Sequence, residues 1–186
     1  MNIIESERLK NNTLPTRLVW IDLEMTGLLT DVHRIVEVAV IITDFNFKEI
    51  AQYEAVIHQP EEVLKASNEF SLFAHEKSGL YPMVRKSSVL EKEAESRVLS
   101  LIEEHVPKGS VFLAGNSIKS DRMFLDAHWS VLAGALHYRM LDVTSFKLWW
   151  LGSGHPEYKK GESHRALDDI RESIAELQFY LGELKK

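Results

Sequence analysis

Residues 17–28 read RLVWIDLEMTGL. Leu18, Val19, Trp20, Ile21 and Leu23 are large and apolar, as in a buried strand, yet Asp22 and Glu24 stand inside the run. A carboxylate in an apolar strand is costly unless something satisfies it. Side chains alternate along a strand, so these two acids share a face, with Cα atoms roughly 6.5 Å apart. The strand therefore aims two carboxylates at one place, and the rest of the fold has to supply what satisfies them.

The remaining elements alternate between strand and helix patterns. RIVEVAVIITD, 34–44, is long and β-branched and predicts a second strand. EIAQYEAVIH, 49–58, alternates and predicts a third, antiparallel to the second. Residues 66–80 mix Ser, Asn and Gly with aromatics and read as short helix and loop. Over 87–106, Val89, Leu90, Ala94, Val98, Leu101 and Ile102 keep helical spacing, and Ser88 with Glu91 reads as a capping box. SVFLAGNS predicts a short buried strand, with a helix from about Ser120 to Trp129. HYRMLDV, 137–143, predicts a strand running into an aromatic helix, TSFKLWWL, that Gly152, Gly154 and Pro156 break. The last helix, about 165–182, carries a stripe of Ala166, Leu167, Ile170, Ile174, Leu177 and Leu181.

This order implies an α/β fold around a mixed sheet of about five to six strands, an antiparallel meander joined to parallel βα units. With 186 residues and 45% hydrophobic content, one domain over 16–186 is expected, after a flexible arm at 1–15. No apolar run is long enough to span a membrane, and the N-terminus lacks the apolar stretch of a secretory signal. The absence of cysteine rules out disulfides and thiolate metal sites and fits an intracellular, cytoplasmic protein. A net charge of -6 argues against a broad basic face for long nucleic acid, though not against a small phosphate-bearing substrate at one focused site.

Other acids fall at element ends. Asp121 opens the helix after the fourth strand, and Asp168 and Asp169 lie in the first turn of the last helix. Strand ends and helix starts gather at one edge of an α/β sheet, where ligands bind. Like charges about 4 Å apart cost on the order of 4 kcal/mol per pair at an effective dielectric of 20, so such a cluster calls for cations. Oxygen-only ligands favour Mg²⁺ or Mn²⁺, and two such ions form a device for phosphodiester displacement. Each acid alone has a blander reading: a solvated strand end, a helix-dipole acid, an ordinary charged face. Their combination is the signal. Counting 100° per residue from the apolar stripe, Asp169 lies nearer the buried boundary than Asp168 and is the better ligand candidate. His164, five residues before Asp169, meets it only if it lies in the preceding loop. There, near bound metals, it suits a general base.

Asp22, Glu24, Asp121, His164 and Asp169 in this order resemble the DEDDh 3′-to-5′ exonuclease superfamily. WIDLEMTGL, GNSI followed by Asp121, HYR with LDV, and H.A.DDIRES resemble its oligoribonuclease branch, over about Leu18 to Tyr180. The resemblance implies a ribonuclease-H-like sheet, a homodimer, and release of 5′-mononucleotides from the 3′ end of very short RNAs. Carried onto this chain, Asp22, Glu24, Asp121 and Asp169 would bind two divalent ions and His164 would activate water. Leu28 falls where a leucine wedges between two bases, and His75 where a histidine contacts substrate. Ser117, Arg139 and Thr144 match the cap on the 5′ phosphate of a dinucleotide. Tyr138 matches a tyrosine that reaches the site from the partner subunit. Phe70 stands where the family often has Trp, Lys119-Ser120 where Gly-Gln is expected, and Thr144 where Ser is usual. The alternatives are another DEDDh branch that trims or proofreads longer strands, and a non-catalytic nucleotide-binding module.

Overall fold

The computed structural model describes residues 15–107, 111–159 and 165–184. Its sheet has five strands in the order β3-β2-β1-β4-β5: β1 (Leu18–Met25), β2 (Ile35–Thr43), β3 (Glu49–Val56), β4 (Val111–Gly115) and β5 (Leu136–Asp142). β1 pairs antiparallel with β2, β2 with β3, while β1–β4 and β4–β5 are parallel. The expected meander joined to parallel units is therefore the architecture found.

Helices cover the sheet on both faces. On one, Val19, Ile21 and Leu23 pack with Ala94, Val98 and Ile102 of α4 (Glu91–His105), Phe124 and Leu125 of α5 (Lys119–His128), and Leu132 of α6 (Ser130–Ala135). On the other, Leu18 and Trp20 pack with Trp150 of α7 (Val143–Gly152) and with Ile170, Ile174 and Leu177 of α8 (Ala166–Glu183). A third group, Val36, Leu64, Leu80, Tyr81 and Val84, seats α1 (Glu61–Lys65) and α3 (Leu80–Lys86) beside β2, with α2 (Glu69–Ser78) between them in the chain. β2 is buried along its whole length, Glu37 and Thr43 included, as its largely apolar run requires of a strand covered on both faces.

Two local expectations change. Residues 66–80, expected as short helix and loop, are mostly the ten-residue helix α2, with α1 before it and α3 starting at Leu80. Asn68 caps α2 by accepting the Ser71 N–H at 2.7 Å, and Gly79 ends it in the left-handed conformation at φ 80°. The Ser88–Glu91 capping box does not form, because α4 begins at Glu91 with Leu90 at its N-cap. Tertiary partners take the side chains of Glu91 and of Ser87. Glu91 accepts from Trp129 Nε1 and Gln59 Nε2, both at 3.2 Å, and Ser87 Oγ donates to Val56 O at 2.6 Å. Among the described residues, no helix is long and apolar enough to cross a membrane.

Candidate active site

β1 changes character along one face. Leu18 and Trp20 are buried under α8, and the next two residues on that face are Asp22 and Glu24. α8 crosses the same face, and its first turn carries Asp169. Oxygens of Asp22, Glu24 and Asp169 lie within 4.8 Å of one another. Asp168, one residue earlier, has a half-exposed side chain that pairs with Arg171 at 3.8 Å.

Asp121 reaches the same region from the other layer. Among the described residues β4 pairs with β1 over Leu18–Trp20. Beyond that register Asp121, in the first turn of α5, accepts the Leu23 N–H at 3.0 Å. It is buried, and burial followed by the Asp22 charge holds its carboxyl well above the usual range, against the Leu23 bond that lowers it. Glu24 is pushed up to about 7 by burial, then by Glu37, Asp169 and Asp121. Four acids so placed oppose one another's ionisation, and oxygen-binding divalent cations are what would let all four ionise. The donor set fits such ions, with Asp22, Glu24 and Asp169 as ligand candidates and Asp121 beside them.

Leu28 lies in the turn after β1 and is 64% exposed. The turn has a specific construction. Gly27 packs flat against His33, whose ring occupies the place a Cβ would take, and His33 Nδ1 accepts the Leu29 N–H at 2.9 Å. Phe70 on α2 is 82% exposed, and Phe73 one turn on is 70% exposed. His75 is buried on the same helix. Its Nε2 donates to Met25 O at 3.0 Å and lies 3.7 Å from Glu24 Oε2, and its ring packs on Tyr81. Burial lowers its pKa, and a neutral ring with the proton on Nε2 fits the carbonyl it faces. Glu24, Glu37, His75, Ser78, Leu80, Met83 and Arg165 line one small cleft.

Ser117, Asp142 and Thr144 meet where β4 and β5 end. Ser117 adopts φ 51°, and its N–H is shared between Thr144 Oγ1 at 2.8 Å and Asp142 Oδ1 at 3.1 Å. Asp142 also caps α7 through the Thr144 N–H at 2.9 Å. Arg139 lies over the Tyr138 ring, 5.2 Å from its centroid, on the edge strand β5, and Tyr138 is 64% exposed. His164 lies outside the described residues.

Three groups near the site escaped the sequence reading. Glu37 is 3% exposed, faces Glu24 across the β1–β2 ladder, and accepts a hydrogen bond from Arg165 Nη2 at 3.2 Å. Burial raises its pKa, and the Arg165 charge and hydrogen bond partly counter this. An acid inside a β-branched run is the same signal that marks Asp22 and Glu24. Asn116 and the fully buried Glu176 form a hydrogen-bonded pair behind Ser117. Glu176 was legible only as an acid bordering the α8 stripe.

An exonuclease family model matches residues 19–177. The oligoribonuclease of Pseudomonas paraeruginosa is 48% identical over 170 residues, covering 89% of this chain and 94% of its own. That of Francisella tularensis subsp. holarctica is 47% identical over 171 residues, covering 90% and 95%. Among solved structures, E. coli exonuclease I in complex with an oligonucleotide superposes with a TM-score of 0.65 at 16% identity. The match covers 90% of this chain and 41% of that longer one, a likeness of fold. The chain belongs to the oligoribonuclease family of exonucleases.

Proposed function

We propose that this chain is a metal-dependent 3′-to-5′ exoribonuclease. Its substrates are very short oligoribonucleotides, 5′-phosphorylated dinucleotides above all, and its products 5′-mononucleotides. The observation that carries the reading is the convergence of Asp22, Glu24 and Asp169 within 4.8 Å, with Asp121 on the adjoining Leu23 amide. These four acids are the proposed holders of two divalent cations, Mg²⁺ or Mn²⁺. Bound there, such ions supply Lewis-acid activation of water and offset charge on the departing 3′ oxygen.

The chain's own groups do the rest. His164 accepts the proton of the attacking water. Leu28, exposed on a turn that Gly27 and His33 hold, inserts between the two bases, and Phe70 offers a stacking face. His75, fixed by Met25 O, borders the substrate beside Glu24. Ser117, Arg139 and Thr144 cap the 5′ phosphate, which leaves a longer strand nowhere to place its next residue. The charge of -6 agrees with affinity drawn from ions and a few donors rather than a basic groove.

The reading includes a cytoplasmic homodimer in which Tyr138 reaches the partner's site. Leu148 at 64% exposure and Trp149 at 55% on α7, with Tyr138 and Met140 on β5, supply an apolar surface for that contact. Trp150, by contrast, is core, its Nε1 donating to Pro156 O at 2.8 Å.

The test is to incubate pure protein with 5′-labelled RNAs of two and more residues, with Mn²⁺ or Mg²⁺ and with EDTA. The expected result is metal-dependent conversion to mononucleotides, fastest for the dinucleotide. Equal rates on long strands would move the chain to a strand-trimming role, and binding without turnover would make it a nucleotide-binding module.

A further inference from the structure

Glu176 is 0% exposed in the middle of α8. A buried carboxylate is retained only where donors satisfy it, and apolar residues do the packing as well or better. Among the described residues, Tyr180 OH donates to Glu176 Oε1 at 2.8 Å and Asn116 Nδ2 to Oε2 at 2.8 Å. Burial, then the bond to Glu176, raises the Tyr180 phenol, so it stays protonated as donor. The second Asn116 amide hydrogen goes to Ser173 Oγ at 3.1 Å. Ser173 in turn donates its own proton to Asp169 O at 2.8 Å.

These partners fix which way the Asn116 amide faces. A carboxylate only accepts, so the NH₂ must point at Glu176 and the carbonyl at Thr144. Thr144 Oγ1 then donates its single proton to Asn116 Oδ1 at 3.1 Å and accepts the Ser117 N–H at 2.8 Å. Ser117 Oγ lies 3.2 Å from Thr144 Oγ1, which has no proton left to give, so Ser117 is the hydroxyl able to donate outward.

We infer that Glu176 is a positioning residue for the 5′ phosphate. It orients the chain Ser117–Thr144–Asn116 so that Thr144 holds Ser117 in its φ 51° conformation as acceptor, while the Ser117 hydroxyl donates to the phosphate. This rests on the phosphate-cap reading of Ser117, Arg139 and Thr144. Reversing the Asn116 amide would make it a donor to Thr144 and turn the Thr144 proton toward Ser117 Oγ, redirecting the Ser117 hydroxyl while Asp142 Oδ1 still accepts the Ser117 N–H.

The experiment compares KM and kcat for a dinucleotide with and without a 5′ phosphate, in wild type, Glu176→Gln and Tyr180→Phe, with Tm recorded for each. Glu176→Gln replaces one acceptor oxygen with an NH₂ donor, which opposes the Asn116 NH₂ when the retained oxygen keeps the Tyr180 bond. It is expected to raise KM for the phosphorylated dinucleotide about tenfold, the value of one charge-assisted hydrogen bond, and to leave the unphosphorylated one within about twofold. Tyr180→Phe removes the other partner of the same carboxylate without disturbing Asn116. It is expected to lower Tm and keep the phosphate preference. Glu176→Met, which removes the buried charge, repeats the first test if the glutamine variant does not fold. A wild type indifferent to the 5′ phosphate overturns the cap reading and this proposal together. A wild-type preference that Glu176→Gln and Glu176→Met retain, or an equal loss on both substrates, overturns the proposal alone.

Discussion

Glu37 stands directly across from Glu24 in the antiparallel β1–β2 ladder, so the two side chains share one face. Like charges in such a pair repel, and Arg165, at the start of α8, answers one of them at 3.2 Å from Glu37. The other is left to the acidic cluster. The same helix turn thus supplies the neutralising guanidinium and, four residues on, Asp169, whose N–H donates to Arg165 O at 2.9 Å.

Arg165→Ala removes the charge that lowers the Glu37 pKa, on a carboxylate 3% exposed. Because the Arg165 side chain is itself 47% exposed, the expected loss of stability is about 1–2 kcal/mol rather than the full cost of a broken buried pair. Urea denaturation measures it. Adding Glu37→Gln in the same chain is expected to recover most of the loss.

Without divalent ions, stability depends on pH through Glu24. Its folded pKa, about 7, lies above the ordinary 4.5, so the folded state binds more protons. The contribution is present in full below pH about 4.5 and is lost as pH rises through about 7, on the order of 3 kcal/mol. Asp121 acts in the same direction. Thermal melts in EDTA should fall over that window, Mn²⁺ should reverse the fall, and Glu24→Gln should flatten it. A Tm rising from pH 5 to 7 in EDTA contradicts the assignment.

Asp169→Asn is expected to lower kcat by about 10³-fold or more, whereas Asp168→Asn stays within about twofold. The reason is position: Asp169 lies within 4.8 Å of Asp22 and Glu24, while Asp168 is paired outward with Arg171. Steady-state rates in saturating Mn²⁺ decide it, and the reverse ranking refutes the proposed ligand set.

Phe70 and Leu28 are too exposed to matter for folding, so their variants should report on substrate alone. Phe70→Ala is expected to raise KM for a dinucleotide about tenfold, from the stacking energy of one base, and Phe70→Trp to lower it. Leu28→Ala should raise KM about fivefold with Tm unchanged. Unchanged kinetics in both alanine variants would remove these residues from the substrate contact.

Much of this was readable in the chain. The buried runs of β1 and β2 and the stripe of α8 announced themselves by periodicity, because burial on a covered face demands apolar residues at fixed spacing. Asp22 and Glu24 stood out for the same reason in reverse, as acids where the period required none. Helix geometry ranked Asp169 above Asp168, and the structure sets Asp169 in the cluster and Asp168 outward.

What spacing could not provide was the partner of each polar group. Ser88 and Glu91 had the right separation for a capping box, but Glu91 found Trp129 and Gln59, and α4 began later. Asn116 and Glu176 are ordinary polar letters in the sequence, and Glu37, though an acid inside a β-branched run, shows no partner there. They become legible once β1, β2, β4 and α8 are brought together, because hydrogen bonds and charge pairs depend on distances between residues 57, 60 or 128 positions apart in the chain. The sequence by itself determined the strands, the helices with clear periodicity and the acids aimed from them. Only the tertiary structure decided which charges face one another and what answers each.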